Sequence, residues 1–173
     1  MIKRGIMWIF MVFLLVSSVL AYDLSEFPHI FLGNKATIVI GSAAKAEDMA
    51  GAINVAVTLV QNGVSIESKL DKDIEDIYSQ NLVVVGGPCI NSVAAKLMGY
   101  PKNCLEGFEV GKGKSKLFPY KNGGIALFLA GMTAFDTRMA TGAVTYYQDT
   151  NLSGTEMEVL EPSVSNIMIR TSD

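Results

Sequence analysis

Three glycine-containing turns are the parts of this sequence best suited to binding a ligand. Gly41-Ser42, Gly86-Gly87 and Gly131-Met132-Thr133 each follow a short apolar run and precede a segment with helical periodicity. Open α/β sheets usually bind ligands at such strand-to-helix turns, and a helix N-terminus there can hold a phosphate or a carboxylate. None of the three has the GxGxxG spacing or the lysine and hydroxyl of a P-loop. The sequence therefore favours tight turns and helix caps, with a glycan or small-anion site as the alternative.

The two cysteines and the single histidine give little support to catalysis. Cys89 could be a nucleophile because it precedes a predicted helix, whose N-terminus lowers the pKa of a thiol. In an oxidising compartment an even cysteine count instead favours a disulfide between Cys89 and Cys104, and two separate buried thiols are a further alternative. Such a bridge closes a loop of about 15 residues and would stabilise the fold by ~3 kcal/mol. His29 lies outside every predicted turn and lacks the companions of a metal site or a Ser-His-Asp triad.

The remaining charged residues near these turns are Asp48, Asp136 and Arg138. Acid–base catalysis needs a positioned pair of titratable groups, and the sequence contains no motif with paired carboxylates. Each of the three is therefore predicted to cap a helix or to lie at the surface. Thr133 and Asp136 have the spacing of a capping box. We expect no enzymatic activity, no cofactor and no metal site.

The first 21 residues have the pattern of a secretory signal peptide. Lys3 and Arg4 are basic, the segment from Ile6 to Leu20 is almost entirely apolar, and Ala21 ends a small-residue cleavage site. An apolar run of about 15 residues is short for a spanning helix, which needs about 20. The segment is predicted to be a cleaved export signal, with an uncleaved anchor as the alternative. In both cases the rest of the chain is expected to be extracellular or at the cell surface, with membrane contact only through an uncleaved leader.

The exported part has no electrostatic signature of nucleic-acid binding. The whole chain has a formal net charge of −3, and removing the two positive charges of Lys3 and Arg4 makes it −5. A mildly acidic protein without a basic patch is a poor partner for a phosphate backbone. Asn151-Leu152-Ser153 is an N-glycosylation sequon in a predicted surface turn, so Asn151 is a candidate glycosylation site.

The elements that would position these turns follow from hydrophobic periodicity. The predicted strands span 36–41, 64–70, 82–85, 115–120, 125–130 and 156–161, with another short strand at 167–169. Helices are predicted to begin at Ser42, as an N-cap, at Asn91 and at Thr133. The first helix has an apolar stripe that we expect to be largely covered. It is formed by Met49, Ile53, Ala56, Val57 and Val60 and widened by Val55 and Leu59.

Glycines also indicate a packing contact, a loop and a hairpin turn. Gly142 shares one predicted face of the third helix with Phe135, Met139 and Tyr146. A glycine inside a helix costs ~1 kcal/mol relative to alanine, so close packing on a neighbouring element is its expected reason. The glycine-rich stretch 100–113, which contains Cys104, is predicted to be a loop, and Asn-Gly at 122–123 predicts a hairpin between the strands on either side.

Strand–turn–helix units interleaved with a hairpin predict an α/β fold in which helices cover a mixed sheet, a Rossmann-like three-layer sandwich. The chain divides into a signal peptide or uncleaved anchor (1–21), a lead-in segment (22–35), a single α/β domain (36–161) and a C-terminal tail (162–173). The lead-in has no clear period, so it is expected to pack as an edge segment or to be a linker.

Three segments resemble sequence motifs of archaeal surface-layer proteins. They are IVIGSAAKAEDMAGAINVAVTLVQ at 38–61, NLVVVGGPCINSVAAKLMG at 81–99 and IALFLAGMTAFDTRMATGAV at 125–144. In the third segment, the residues that match the family motif are Gly131, Asp136, Thr137 and Arg138. The resemblance covers about residues 33–149 and concerns only the α/β core domain of that family.

This resemblance implies an exported archaeal cell-envelope protein with a structural or interaction role and no catalysis. Members of the family form the protein coat outside the archaeal membrane and are often glycosylated. Other envelope proteins or further copies of the chain are the implied partners, with a glycan as a further ligand. The alternative function is that of an exported α/β module that binds a glycan or a small anion.

Overall fold

A computed structural model describes residues 22–160 of the chain. The predicted signal peptide (1–21), the last residue of the predicted domain (161) and the predicted tail (162–173), with its predicted strand at 167–169, lie outside the described residues. None of the helices within 22–160 combines the length and the hydropathy that a membrane span requires.

Strands and helices alternate along most of the described chain. The strands are β1 (Lys35–Ile40), β2 (Ser65–Leu70), β3 (Asn81–Val85), β4 (Lys112–Pro119), β5 (Ile125–Gly131) and β6 (Glu156–Leu160). The α-helices are α1 (Ala46–Gln61), α2 (Ser92–Leu97) and α3 (Ala134–Thr145). Short 3₁₀ turns lie at Leu24–Glu26, His29–Phe31 and Asp71–Asp73.

The strands form one mixed sheet in the order β2-β1-β3-β5-β4-β6. β2, β1, β3 and β5 are parallel neighbours, whereas β4 runs antiparallel to both β5 and β6. α1 and α3 pack together on one face, over a core that includes Leu59 and Leu127. α2 covers the other face, where Val93 belongs to the same core as Phe128. The predicted α/β fold with a mixed sheet and covering helices is confirmed.

Some strands are continuous apolar runs and others alternate apolar and polar residues, and burial explains the difference. Every residue of β5 is buried, and so are Leu82 to Val85 of β3. α1 and α3 cover one face of the sheet there, and α2 covers the other together with the loop that contains Phe108. Strands buried on both faces are continuous apolar runs. β2 lies at an edge of the sheet, and its alternating residues are exposed or partly exposed. The half-exposed strand predicted at 64–70 is confirmed.

The outer face of α1 differs from the prediction. Four of the residues expected to be covered are between 48% and 59% exposed, namely Met49, Ile53, Val57 and Val60, whereas Val55 and Leu59 are buried as expected. The buried face includes smaller residues such as Gly51 and Ala52. Periodicity selects the widest apolar stripe of a helix, whereas the crossing with α3 selects the face on which small residues permit close approach.

Gly142 also has a different environment from the one predicted. A Cβ atom built on Gly142 meets no neighbouring element within 4 Å, so nothing packs closely there. Phe135 and Tyr146, expected on the same face, are 54% and 64% exposed. The close contact occurs at Gly51 of α1, where an added Cβ would lie 2.4 Å from Oγ1 of Thr141 in α3.

α3 lies directly on two paired glycines of the sheet. Gly113 of β4 and Gly131 of β5 are opposite each other in the antiparallel ladder. An added Cβ would lie 2.6 Å from the backbone nitrogen of Ala140 at the first position and 2.2 Å from Cβ of Asp136 at the second. The loop predicted to extend to 113 is wrong at its end, because pairing with β5 and β6 extends β4 back to Lys112.

The lead-in segment contributes to the core rather than acting as a linker. Leu24, Phe27 and Phe31 are at most 2% exposed, in the same core as α1 and α3. These apolar residues lie in and between two 3₁₀ turns, which gives them neither a strand period nor an α-helical period.

Two glycine substitutions test the packing of α1 against α3. Gly51→Ala should lower the free energy of unfolding by about 1–3 kcal/mol, because its methyl group would overlap with Thr141. Gly142→Ala should raise it by about 0.5–1 kcal/mol, since alanine is the better helix former and the methyl group would enter open space. Chemical denaturation of the parent chain and both variants measures the two changes. A loss of stability in Gly142→Ala would contradict this placement of α3.

Candidate functional site

The three predicted glycine turns meet at one edge of the sheet. They follow β1, β3 and β5, which are adjacent parallel strands, so that their carboxyl ends lie side by side. A Cβ built on Gly87 would lie 3.5 Å from the carbonyl oxygen of Gly131. The chain leaves β1 toward β2 and returns on the other side at β3, so the topological switch point lies between β1 and β3. This is where open α/β sheets usually bind ligands.

At the switch point, the side chain of Asn91 fills the crevice. Its Nδ2 donates hydrogen bonds to the carbonyl oxygens of Val39 in β1 and Val85 in β3, at 3.4 and 3.0 Å. Its Oδ1 accepts hydrogen bonds from the backbone N–H groups of Val93 and Ala94, at 3.0 and 3.2 Å. Asn91 therefore caps α2 and also satisfies two strand ends, with 1% of its surface exposed.

The turn after β1 packs directly on the turn after β3. A Cβ built on Gly41 would lie 2.2 Å from the carbonyl oxygen of Ile90, and one on Gly86 would lie 2.8 Å from Cδ1 of the same residue. Gly86 also has a φ of 98°, in the region that favours glycine. Contact between segments of the chain is thus sufficient to explain both glycines.

Asp71 joins these two turns through its carboxylate. Oδ1 accepts a hydrogen bond from the backbone N–H of Ser42 at 2.8 Å, and Oδ2 accepts one from that of Ser92 at 2.7 Å. The residue is 5% exposed. Burial raises the pKa of Asp71, but the hydrogen bonds from Ser92 and Ser42 outweigh it and hold the pKa below its usual value. An internal carboxylate therefore occupies the position where a bound anion would accept these hydrogen bonds.

Asp136 has the corresponding role at the start of α3. Its Oδ2 accepts a hydrogen bond from the backbone N–H of Thr133, and its Oδ1 accepts one from that of Gly111, both at 3.0 Å. Oγ1 of Thr133 accepts one in return from the backbone N–H of Asp136 at 3.1 Å. The capping box predicted at Thr133 and Asp136 is present.

Asp48 caps α1 with only one of its oxygens. α1 begins after Lys45, so the prediction of Ser42 as its N-cap is wrong, and the N–H of Ser42 is bonded to Asp71 instead. The backbone N–H of Lys45 donates to Oδ2 of Asp48 at 2.9 Å. Oδ1 of Asp48 has no hydrogen-bond partner among the described residues, although the residue is only 1% exposed.

A small cavity lies between the turns and beside Asp48. Its volume is about 130 Å³, whereas ligand pockets usually measure about 300–1,000 Å³. The second and third turns line it, together with the disulfide and the start of α1. The lining residues include Lys45, Asp48, Gly87, Cys89, Cys104, Gly131, Thr133 and Thr137. The predicted bond between Cys89 and Cys104 is present, so neither sulfur is a free nucleophile.

The other predicted candidates lie away from this cavity. His29 is exposed and borders a separate surface depression with Ser25 and Tyr147. Arg138 is exposed on α3, and Asn151 is exposed beyond it. Glycosylation of Asn151 therefore stays a prediction, on a residue that the structure leaves accessible.

Sequence reasoning missed Asp71 and only partly identified Asn91. An asparagine directly before a helix is a capping signal, but its contact with β1 depends on the tertiary fold. Asp71 lies in a polar stretch, and its partners Ser42 and Ser92 are 29 and 21 residues away in the chain. No local pattern indicates contacts at such separations.

Comparisons with known proteins identify no family for this chain. No family profile and no curated protein matches it. Among solved structures, the chain is similar to CpGH84D, with a TM-score of 0.47 and 14% sequence identity. The match covers 75% of this chain and 20% of CpGH84D, so the chain spans about a fifth of that protein. A likeness this distant carries no conclusion about activity.

Replacing Asp71 tests its role as the bond between the turns. Asp71→Asn should lower the free energy of unfolding by about 1–3 kcal/mol at neutral pH, because an amide has one acceptor oxygen for two N–H donors. The folded-state pKa of Asp71 is depressed, so its contribution is complete above the unfolded pKa, ~3.9, and is lost as the pH falls through the folded-state pKa. Denaturant titrations of both proteins across the acid range should show their difference shrinking below about pH 4. A difference that grows on acidification would contradict this role.

Proposed function

We propose that this protein is an exported cell-envelope component that acts by binding other proteins or further copies of itself, without catalysis. The resemblance of three segments to archaeal surface-layer proteins motivates the proposal. The observation that carries it is that the chain's own side chains close the usual ligand edge. Asn91, Asp71 and Asp136 accept the hydrogen bonds that a bound ligand would otherwise accept.

Catalysis at this edge would need groups that are already engaged. Cys89 is bonded to Cys104, and the carboxylates of Asp71 and Asp136 each accept two backbone N–H hydrogen bonds. General acid–base catalysis requires titratable groups that reach the substrate. Among the described residues, the charged side chains lining the cavity are those of Lys45 and Asp48. One lysine and one capping carboxylate do not form an acid–base pair with a shared target.

Features on the outside of the molecule support a role in interactions. α1 exposes a row of large apolar side chains, consisting of Met49, Ile53, Val57 and Val60. Folded proteins rarely leave large contiguous apolar patches uncovered, and such patches mark sites of contact with other molecules. The disulfide between Cys89 and Cys104 suits an oxidising compartment outside the cytoplasm.

Fractionation of cells that produce the protein tests its location and state together. We expect recovery in the envelope fraction, in an assembly larger than a monomer, by immunodetection followed by native mass measurement. Electrophoresis with and without reductant serves as the internal control, because only the exported, folded protein should carry the Cys89–Cys104 bond. Recovery of the protein as a monomer outside the envelope would contradict the proposal.

A second candidate function is binding of a hydroxyl-bearing ligand such as a glycan, and Asp48 is the observation that favours it. Asp48 lines the cavity, and its buried Oδ1 has no hydrogen-bond partner in the described part of the chain. A carboxylate oxygen can accept a hydrogen bond from a hydroxyl group. A small anion fits less well, because it would approach the carboxylate of Asp48. A cavity of about 130 Å³ admits a few hydroxyl groups and not a whole sugar chain.

Calorimetric titration with neutral mono- and oligosaccharides tests this second candidate. Binding at the cavity predicts that Asp48→Ala weakens affinity about tenfold, since it removes the hydrogen-bond acceptor. Asp149→Ala is the matched control, because Asp149 is an exposed carboxylate beyond the end of α3, and its affinity should equal that of the parent chain. The site would be refuted by unchanged affinity in a folded Asp48→Ala variant, or by the absence of binding to the parent chain.

A further inference from the structure

The sheet edge formed by β2 adjoins an uncovered apolar groove. Ile66 of β2 lines the groove on the sheet side, and Ile53, Val57 and Val60 of α1 line it on the helix side. The groove has a volume of about 280 Å³, and the three helix residues are 48–59% exposed. β2 is paired only with β1 in the described residues, so its other side presents unpaired backbone N–H and C=O groups.

The charges on β2 are self-complementary in one antiparallel register. Glu67 and Lys69 flank Ser68 and point to one face of the sheet, whereas Ile66 and Leu70 point to the other. A two-fold axis through Ser68 would place Glu67 of each copy opposite Lys69 of the other. The same axis would place Ile66 opposite Leu70, which continues the apolar surface of the groove across the junction.

We propose that two copies of this chain associate by antiparallel pairing of their β2 strands about Ser68, which joins their sheets into one continuous sheet. The inference rests on the proposed interaction function and assigns a second copy of the chain as the partner. Because the same patch is used by both copies, the interface closes after two molecules.

The helices fit this arrangement. α1 packs over β1 and β2, so its copies would lie two to three strand spacings of ~4.8 Å apart across the axis, roughly 10–14 Å. Helices that pack directly are about 8–10 Å apart. The exposed side chains of Ile53 and Val57 extend into the space that remains between the two helices. The row of apolar residues on α1 is then covered by its counterpart.

Charges on an edge strand can also prevent pairing in unwanted registers. On β2 the same charges favour the register centred on Ser68 and disfavour the neighbouring ones. Centring the pair on Glu67 would place two carboxylates opposite each other, and centring it on Lys69 would place two ammonium groups opposite each other. Within one chain, Lys69 contacts Glu67 at 3.0 Å, and Lys35 also pairs with Glu67. In the dimer Lys69 exchanges this contact for Glu67 of the other copy, while Lys35 keeps its own. The charges thus select the Ser68 register.

The opposite edge of the described sheet lacks this property. β6 carries Glu156 and Glu158 on one face, and both are paired with lysines of β4. Centring two β6 strands on Met157 would place Glu156 opposite Glu158, which is a like-charge pair. Self-complementarity therefore distinguishes β2 from β6.

Charge reversal tests the register. The protein as recovered from cells that export it should show a concentration-dependent dimer in analytical ultracentrifugation. Lys69→Glu and Glu67→Lys each place like charges opposite each other, so each variant alone should associate about tenfold more weakly or worse. An equimolar mixture of the two variants restores opposite charges at both positions and should associate like the parent chain. Lys102→Glu makes the same charge change on an exposed loop and should leave association unchanged.

Hydrogen exchange of the parent chain gives an independent measurement that needs no variant. Protection of the amides in β2 should increase with protein concentration, whereas protection in β6 should not. The proposal is overturned by a parent chain that stays monomeric, by folded variants that associate undiminished, or by a mixture that fails to recover association.

The β2 dimer and the envelope role can fail independently of each other. A monomeric chain found in the envelope on a different protein would overturn the β2 dimer and leave the envelope role intact. A β2 dimer recovered outside the envelope would do the reverse.

Discussion

The backbone N–H groups where parallel strands turn into helices must find acceptors, because an unpaired buried donor costs about 1–3 kcal/mol. In this protein, side chains of the chain itself accept hydrogen bonds from several of these groups. The carboxylate of Asp71 accepts hydrogen bonds from both the turn after β1 and the turn after β3, through the N–H groups of Ser42 and Ser92. Asn91 accepts hydrogen bonds from backbone N–H groups at the start of α2, and Asp136 accepts one at the start of α3. Side chains of the protein therefore occupy much of the edge at which α/β sheets usually bind ligands, and Oδ1 of Asp48 is a buried atom there without a partner in the described chain.

The glycines of the sheet make this closure geometrically feasible. α3 lies against Gly113 and Gly131 with no side chain between, and this close approach brings Asp136 to within 3.0 Å of the N–H of Gly111. A side chain at either glycine would lift the helix and break that hydrogen bond. The glycine that resembles a ligand-binding residue in the sequence, Gly131, is thus explained by contact between helix and strand.

The sequence is informative where local physics decides and uninformative where the tertiary fold decides. Continuous valines in β3, the hairpin before β5 and the capping box at Thr133 are local, and each predicts its element correctly. The contacts of Asp71 span more than 20 residues, so no periodicity or motif indicates them. Which face of α1 is buried depends on Thr141 of α3, which a helical period of α1 alone does not contain.

The close crossing of α1 with α3 also explains why the large apolar residues of α1 face outward. The crossing with α3 requires a small residue at Gly51, and turning that face inward turns Ile53 and Val57 away from the α3 contact. These exposed apolar residues lie on the side of the molecule next to β2, where the sheet edge is also unpaired in the described chain. At β6, by contrast, lysines of β4 neutralise the carboxylates. Uncovered apolar surface and unpaired backbone therefore coincide at β2, and one contact with another copy of the chain would satisfy both.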